Sequence, residues 1–194
     1  MTNIINAPGG IIDGAVDAIY ANSGQFNLTN NGYIHGNIVN SSGASDVIIN
    51  RGTIHGAVFL DGDSIFRDVR GGSSGPINVG GGSSTVTGGR GIDHFVFDSA
   101  LEAQSTTITN FQHGIDKIVL SESVFAVRPG IHHFLRKIAF HIGAVAHTPS
   151  QHIVYDHAHG ILYYDPSGSA GPQIEIADFT NNSMITHDDI LIRA

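Results

Sequence analysis

The chain has 194 residues, enough to bury a core in one or two domains. Only 13% of residues are charged, the formal net charge is −8 and 25 residues are Gly, a balance too apolar for disorder and suited to an all-β chain of many tight turns. No Lys or Arg precedes Arg51, no apolar run approaches the roughly 20 residues of a membrane-spanning helix, and there is no Cys, which argues against nucleic-acid binding, a membrane span, disulfides and thiol catalysis.

The N-terminus, MTNIINAPGG, lacks a basic segment and a long apolar segment, so it does not read as a cleaved signal peptide. A repeat begins almost at once, and the chain from Met1 reads as a complete short protein. Asn50–Val58, NRGTIHGAV, echoes Asn30–Ile38, NNGYIHGNI, at an offset of 20 residues. Ile12–Val16, IDGAV, carries the same core 22 residues before the middle copy. Such a period predicts stacked coils, each burying its apolar face only against its neighbours. Residues 4–66 are expected to form about three coils of parallel β-helix, with Ile34 against Ile54, Ile38 against Val58, and Asn30 stacked on Asn50. The motif N-x-G-x-I-x-G also resembles passenger repeats of autotransporters.

Next comes a run of nonapeptides. Gly88–Val96, GGRGIDHFV, fits G-G-x-G-x-D-x-U-x, the calcium-binding repeat in which U is large and apolar. Glycines permit tight turns of positive φ, and Asp93 supplies the hard carboxylate oxygen that Ca²⁺ prefers. Val79–Thr87 and Arg70–Asn78 continue the period upstream, so that Ile77, Val86 and Phe95 recur every nine residues. A degenerate unit, Leu60–Phe66, precedes them at a spacing broken by two residues. The ligand position reads Ser64, Gly75, Ser84, Asp93, and Asp93 is expected to face Gly75 across one turn. A Ca²⁺ site here would use Asp93 with backbone oxygens of the Arg70–Gly75 and Gly88–Asp93 turns: Gly71, Ser73, Gly88 and Arg90. Asp61 and Asp63 are the other acidic candidates. With so few carboxylates the affinity is expected to be low.

After Phe97 the pattern changes. Thr106–Leu120 reads as strand, turn, strand. Ile131–Ile138 sets Ile131, Phe134, Leu135 and Ile138 on one helical face and predicts a short helix. Gln151–Tyr155 and Gly160–Asp165 read as a hairpin, Gln173–Ala177 as a strand, and THDDILIRA as an apolar end behind two acids. Three regions follow: coils over 1–66, a degenerate roll over 67–97 and a C-terminal cap over 98–194.

The blocks GIDHFVFDS, TITNFQHGIDKIVLS, AFHIGAVA, HIVYD, GILYYDPSGSAG and DDILI occur in one order. Over roughly residues 60–194 they resemble the C-terminal region of RTX proteins of the serralysin type. The resemblance implies a right-handed parallel β-helix or β-roll solenoid followed by a β-sandwich-like cap. It also implies Ca²⁺ as ligand, a type I exporter as partner, an uncleaved signal near Thr186–Ala194 and an extracellular location. Two departures, Asn110 before Phe111 and Asp165-Pro166-Ser167-Gly168-Ser169 for the usual acidic turn, weaken the expectation of strong calcium binding.

Catalytic patterns are missing from the sequence. There is no H-E-x-x-H, no G-x-S-x-G and no Walker loop. Seven His between His132 and His159 lack accompanying Cys, and the pair His157/His159 would share a face only on a strand. Acids on the short helix are too sparse for glycosidase or lyase chemistry. The reading is a secreted, non-catalytic RTX-like protein acting at or near the cell surface, with an extracellular polysaccharide or the surface itself as partner. The alternatives are a secretion and folding module of a larger effector, and a small polysaccharide-modifying enzyme.

Overall fold

The structure is a computed structural model that describes residues 1–69, 71–99, 105–169 and 171–194. Up to Lys117–Ser121 each coil of chain contributes to both of two sheets, whereas the next four strands, Phe140–Ile142, Ile153–Asp156, Ile161–Tyr164 and Ile174–Phe179, all join the first. In spatial order the first sheet holds Thr2–Asn6, Phe26–Asn30, Val47–Asn50, Ile65–Asp68, Thr85–Thr87, Thr106–Ile108, Ile174–Phe179, Ile161–Tyr164, Ile153–Asp156 and Phe140–Ile142. The second holds Ile11–Ala21, Tyr33–Asn40, Val58–Leu60, Ile77–Val79, His94–Phe97, Lys117–Ser121 and Ile190–Arg193, with Thr53–Ile54 beside Tyr33–Asn40. Pairing is parallel except where Ile161–Tyr164 runs antiparallel to both neighbours. This is an all-β solenoid.

Parallel register turns the sequence period into apolar columns. On the first sheet, Ile4, Leu28, Ile48, Phe66, Val86, Ile108 and Phe179 are successive partners. On the second, Ile38, Val58, Ile77, Phe95, Ile118 and Ile190 do the same. Apart from Ile4, at the open N-terminal end, all are buried, so one continuous core lies between the sheets. Val86 and Phe95 belong to opposite sheets, as two nonapeptides per coil require. The two extra residues after the Leu60–Phe66 unit are absorbed in a turn, and Phe66 still pairs with Val86.

The repeat stacks as its period predicts. Ile34 pairs with Ile54 and Ile38 with Val58. The first copy departs from it. Ile12 pairs with Ile34, but Ile19 rather than Val16 pairs with Ile38, and Val16 is exposed. The residues between Asp13 and Ile19 bulge outward, because an edge strand has no outer neighbour to fix its register. Coils approach closely at the glycines. Gly36 has φ +103°, and a Cβ there would lie 2.6 Å from the Gly14 carbonyl oxygen.

The helix expected over Ile131–Ile138 is absent. The segment forms two 3₁₀ turns, Ile131–His133 and Lys137–Ala139, with His132 and His133 at positive φ. Leu135 is buried while Ile131 and Ile138 are exposed. The segment lies along the last strand instead, through the Leu135 N–H donating to the Ile190 carbonyl at 2.8 Å and a bridge between Phe134 and Leu191. The hairpin of Ile153–Asp156 and Ile161–Tyr164 is present. His157 and His159 fall in its turn, not on a strand, so the shared strand face does not exist.

Candidate functional site

Every coil turns from the first sheet to the second along one edge of the solenoid, and that edge carries two polar columns. The first column ends the strands of the first sheet: Asn6, Asn30, Asn50, Asp68, then Gly88 and Asn110. An amide both donates and accepts, so it can be passed from coil to coil. Asn6 Nδ2 donates to Asn30 Oδ1 at 2.8 Å, Asn30 to Asn50 at 2.7 Å, and Asn50 to Asp68 Oδ1 at 2.5 Å. An ionised Asp68 can only accept, so the ladder stops there; its second oxygen accepts from Ser74 Oγ at 2.9 Å.

Gly88 occupies the next position and leaves room for the second column. A Cβ at Gly88 would lie 2.5 Å from Asp93 Oδ2. That column precedes the strands of the second sheet and contains Gly75, Asp93 and Asp116, with Asp189 one residue out of their register, opposite Lys117. Asp93 does face Gly75 on one side. On the other it faces Asp116, whose Oδ1 accepts the Asp93 N–H at 3.1 Å. The sequence carries the signal for this neighbour: Gly91-Ile92-Asp93 recurs as Gly114-Ile115-Asp116, 23 residues on. The nonapeptide period of nine hides it.

Four of the buried acids, Asp68, Asp93, Asp116 and Asp189, are held differently. Asp189 accepts from Gly114 N–H, Thr186 N–H and Thr186 Oγ1, and pairs with His113 Nδ1 at 2.7 Å. Burial alone would raise its pKa, but these hydrogen bonds hold it below the usual carboxylate value. Burial raises Asp116 despite the Gln112 and Asp93 N–H groups, and raises Asp68 despite Asn50 and Ser74. Burial, then the charges of Asp116 and Asp68, pushes Asp93 up to about 6 against the Gly89 N–H. Asp93 Oδ2 is fully buried and finds no hydrogen-bond partner. A solvated carboxylate would never be left so; the site favours either a proton or a cation.

The oxygens near Asp93 are hard ones. Asp68 stands close enough to raise it, and the Gly72 carbonyl oxygen lies against Gly89, 2.8 Å from where a Cβ would be. Gly88 is buried, whereas Gly71, Ser73 and Arg90 are exposed turn positions. The Ser73 carbonyl already accepts from Ile54 N–H and Asn50 Nδ2. Arg70 lies outside the described residues. Asp61 and Asp63 sit on the opposite edge, where they accept from the N–H groups of Gly43, Gly62 and Ser83 and brace turns. Asp68 is the neighbour that the nonapeptide pattern does not reveal, since it ends a strand and stands outside the motif. Among the described residues no group of three or more His, Asp or Glu is arranged to hold a metal.

Asn110, which stands where the resemblance leads one to expect an acid, grips the Gly88 turn. Its Oδ1 accepts the Gly88 N–H at 2.7 Å and its Nδ2 donates to the Gly88 carbonyl at 2.6 Å. An aspartate could make only the first bond. Asp165 folds its own turn, accepting from Ser167 and Gly168 through Oδ1.

The two-sheet solenoid with glycine turns and a carboxylate column agrees with the comparison of families. The model described as Peptidase M10 serralysin C terminal matches residues 17–189. The chain belongs to this family. The match begins well before the nonapeptides and takes in the two copies at Asn30–Ile38 and Asn50–Val58. It is the non-catalytic repeat region of serralysin-type proteases, not their catalytic domain. RTX repeats of this family generally bind calcium, and serralysin-type RTX proteins are secreted. Among the described residues no helix is long and apolar enough to cross a membrane. Comparisons with curated proteins and with solved structures find no match.

Proposed function

We propose that this chain is a secreted, non-catalytic RTX-type protein that leaves the cell through a type I exporter, binds one Ca²⁺ weakly and acts at or near the cell surface. The observation that carries the reading is the partnerless buried oxygen of Asp93 beside Asp68 under the Gly88–Gly89 turn. Asp93, Asp68 and carbonyl oxygens of the adjoining turns would hold the ion. Ca²⁺ takes six to eight oxygens, about 2.3–2.6 Å away, and two carboxylates supply little of that charge, which supports a low affinity suited to a calcium-rich exterior. Binding to the folded chain alone would convert external Ca²⁺ into folding free energy.

The test is a calcium titration followed by circular dichroism and melting temperature. Wild type should melt several degrees higher in millimolar Ca²⁺, and Asp93→Asn should show no such rise. A calcium response that survives Asp93→Asn would overturn the site. An adhesive or matrix role rests on the long, largely uncharged solenoid surface. A second reading, a secretion and folding module for a larger effector, is favoured by the family being a C-terminal region. It predicts that an unrelated domain fused before Met1 is exported with the chain.

A further inference from the structure

The solenoid is closed at one end and open at the other. At its C-terminal end the last strand of the second sheet is covered by the chain itself, through the Leu135 N–H donating to the Ile190 carbonyl and the Phe134–Leu191 bridge. The first sheet finishes there on a short strand, Phe140–Ile142. At the N-terminal end the outermost strands are Thr2–Asn6 and Ile11–Ala21, and among the described residues neither has an outer neighbour. The Thr2 N–H, the Asn6 carbonyl and the Gly10 carbonyl are bonded to the next coil. Backbone groups of a parallel ladder alternate in direction, so those of Asn3, Ile5 and Ile11 point the other way, off the end.

The open end is apolar. The core columns run out there in Ile4, Ile12 and Ile19, which are only partly buried, and Met1, Ile5, Ile11, Val16 and Tyr20 are 59–80% exposed. Apart from the terminal amine it is also uncharged, because the acids of this coil lean back onto the next one. Asp13 stands 4.0 Å from His35 Nδ1, and Asp17 accepts from Asn37 Nδ2 at 3.1 Å. Neither strand contains a Lys, an Arg or a Pro, residues that commonly guard a sheet edge against pairing.

We propose that two copies of the chain meet at this end, head to head about a two-fold axis. An uncharged face offers nothing to an acidic or a basic partner, whereas a two-fold matches it to itself. Thr2–Asn6 meets its own copy antiparallel, so each edge supplies N–H donors to the other's carbonyls, and Ile5, Ile11, Val16 and Tyr20 of both copies surround the seam. The size fits: the end is one coil, residues 2–21, and a standard interface uses roughly 20–30 residues a side. Because the C-terminal end is covered, the pairing closes at two copies and does not propagate into a fibre.

The test is analytical sedimentation of the full chain over a dilution series. Interfaces of this size hold at micromolar concentration or below, so the wild type should be a dimer at about 10 μM. Its melting temperature should rise with concentration. Ile5→Lys combined with Ile11→Lys sets like charges across the two-fold and should weaken the dimer at least about ten-fold, with a melting temperature that no longer depends on concentration. Ile131→Lys, exposed near the covered end, should leave the dimer unchanged. The chain has no Cys, so Asn3→Cys and Asp188→Cys each carry a single spin label, and the label-to-label distance should be much shorter for Asn3 than for Asp188. That distance decides if the double Lys variant does not fold. A monomer at every concentration up to about 100 μM, which is what an end covered by a different protein would give, overturns the proposal. So does a dimer that survives both Lys substitutions, or a distance at Asn3 no shorter than at Asp188. None of these outcomes bears on calcium, which Asp93→Asn tests separately.

Discussion

At the scale of the residue, Asp93 governs the behaviour of the ion-free protein. Its folded pKa of about 6 lies above the unfolded value of 3.8, so between these pH values the folded chain holds more protons than the unfolded one. Stability must then fall as pH rises through that window, and the penalty is complete above pH 6. Asp46, Asp68 and Asp116 are shifted in the same direction. The chain without calcium should therefore denature at lower urea at pH 7 than at pH 4.5, and Asp93→Asn should flatten that difference. A flat wild-type profile would show that Asp93 is not buried as described. Asp189 works the other way, since its lowered pKa contributes stability above 3.8 that is lost as pH falls through the folded value. Asp189→Ala strands the Gly114 and Thr186 N–H groups and should cost about 2–3 kcal/mol at pH 7 by urea denaturation.

At the scale of the element, the asparagine ladder links the coils along the edge where the chain turns from the first sheet to the second. Asn50 bonds Asn30 on one side and Asp68 on the other, and accepts the Gly52 N–H besides. Asn50→Ala leaves a buried donor, Asn30 Nδ2, on one neighbouring coil and a buried acceptor, Asp68 Oδ1, on the other, and should cost at least about 2 kcal/mol. Asn3→Ala, on the exposed N-terminal strand, should change stability by less than about 0.5 kcal/mol. Equal effects in urea denaturation would mean that the ladder adds nothing to stacking. The Ile131–Ile138 segment makes the opposite point. Its apolar spacing suits a helix, yet the Ile190–Arg193 strand offers Leu135 a backbone partner and a burial site that a free helix lacks. Tertiary hydrogen bonding outweighs a pattern only eight residues long.

At the scale of the molecule, the last strand closes the second sheet. Ile190 and Ile192 are buried against Ile118 and Leu120. Truncation after Asn182 removes that strand together with Asp189, and so exposes the end of the core. The truncated chain should be exported by a type I exporter at a small fraction of the full-length amount, and should lose cooperative thermal unfolding. Equal amounts of both chains in the medium would sink the assignment of an export signal to this end.

The sequence by itself determined the stacking of the coils. Ile34 over Ile54, Asn30 over Asn50 and Phe95 over Ile77 all follow from period, because in a solenoid each residue's neighbour is its own repeat one coil away. The serralysin-type resemblance was legible on a different ground, the order of blocks such as GIDHFVFDS and GILYYDPSGSAG. Tertiary structure alone decided where the repeat is broken. The bulge at Gly14–Ala18 forms because the edge strand is unpaired on its outer side. Asp68 meets Asp93 because Gly88 leaves a gap between two columns that lie far apart in the motif. At the C-terminal end the His113–Gly114 turn, the Thr186–Asp189 turn and the Phe134–Ile142 segment meet, and they share no period. Contacts between unlike elements depend on the shapes left after each has packed, and a periodic pattern contains no information about them.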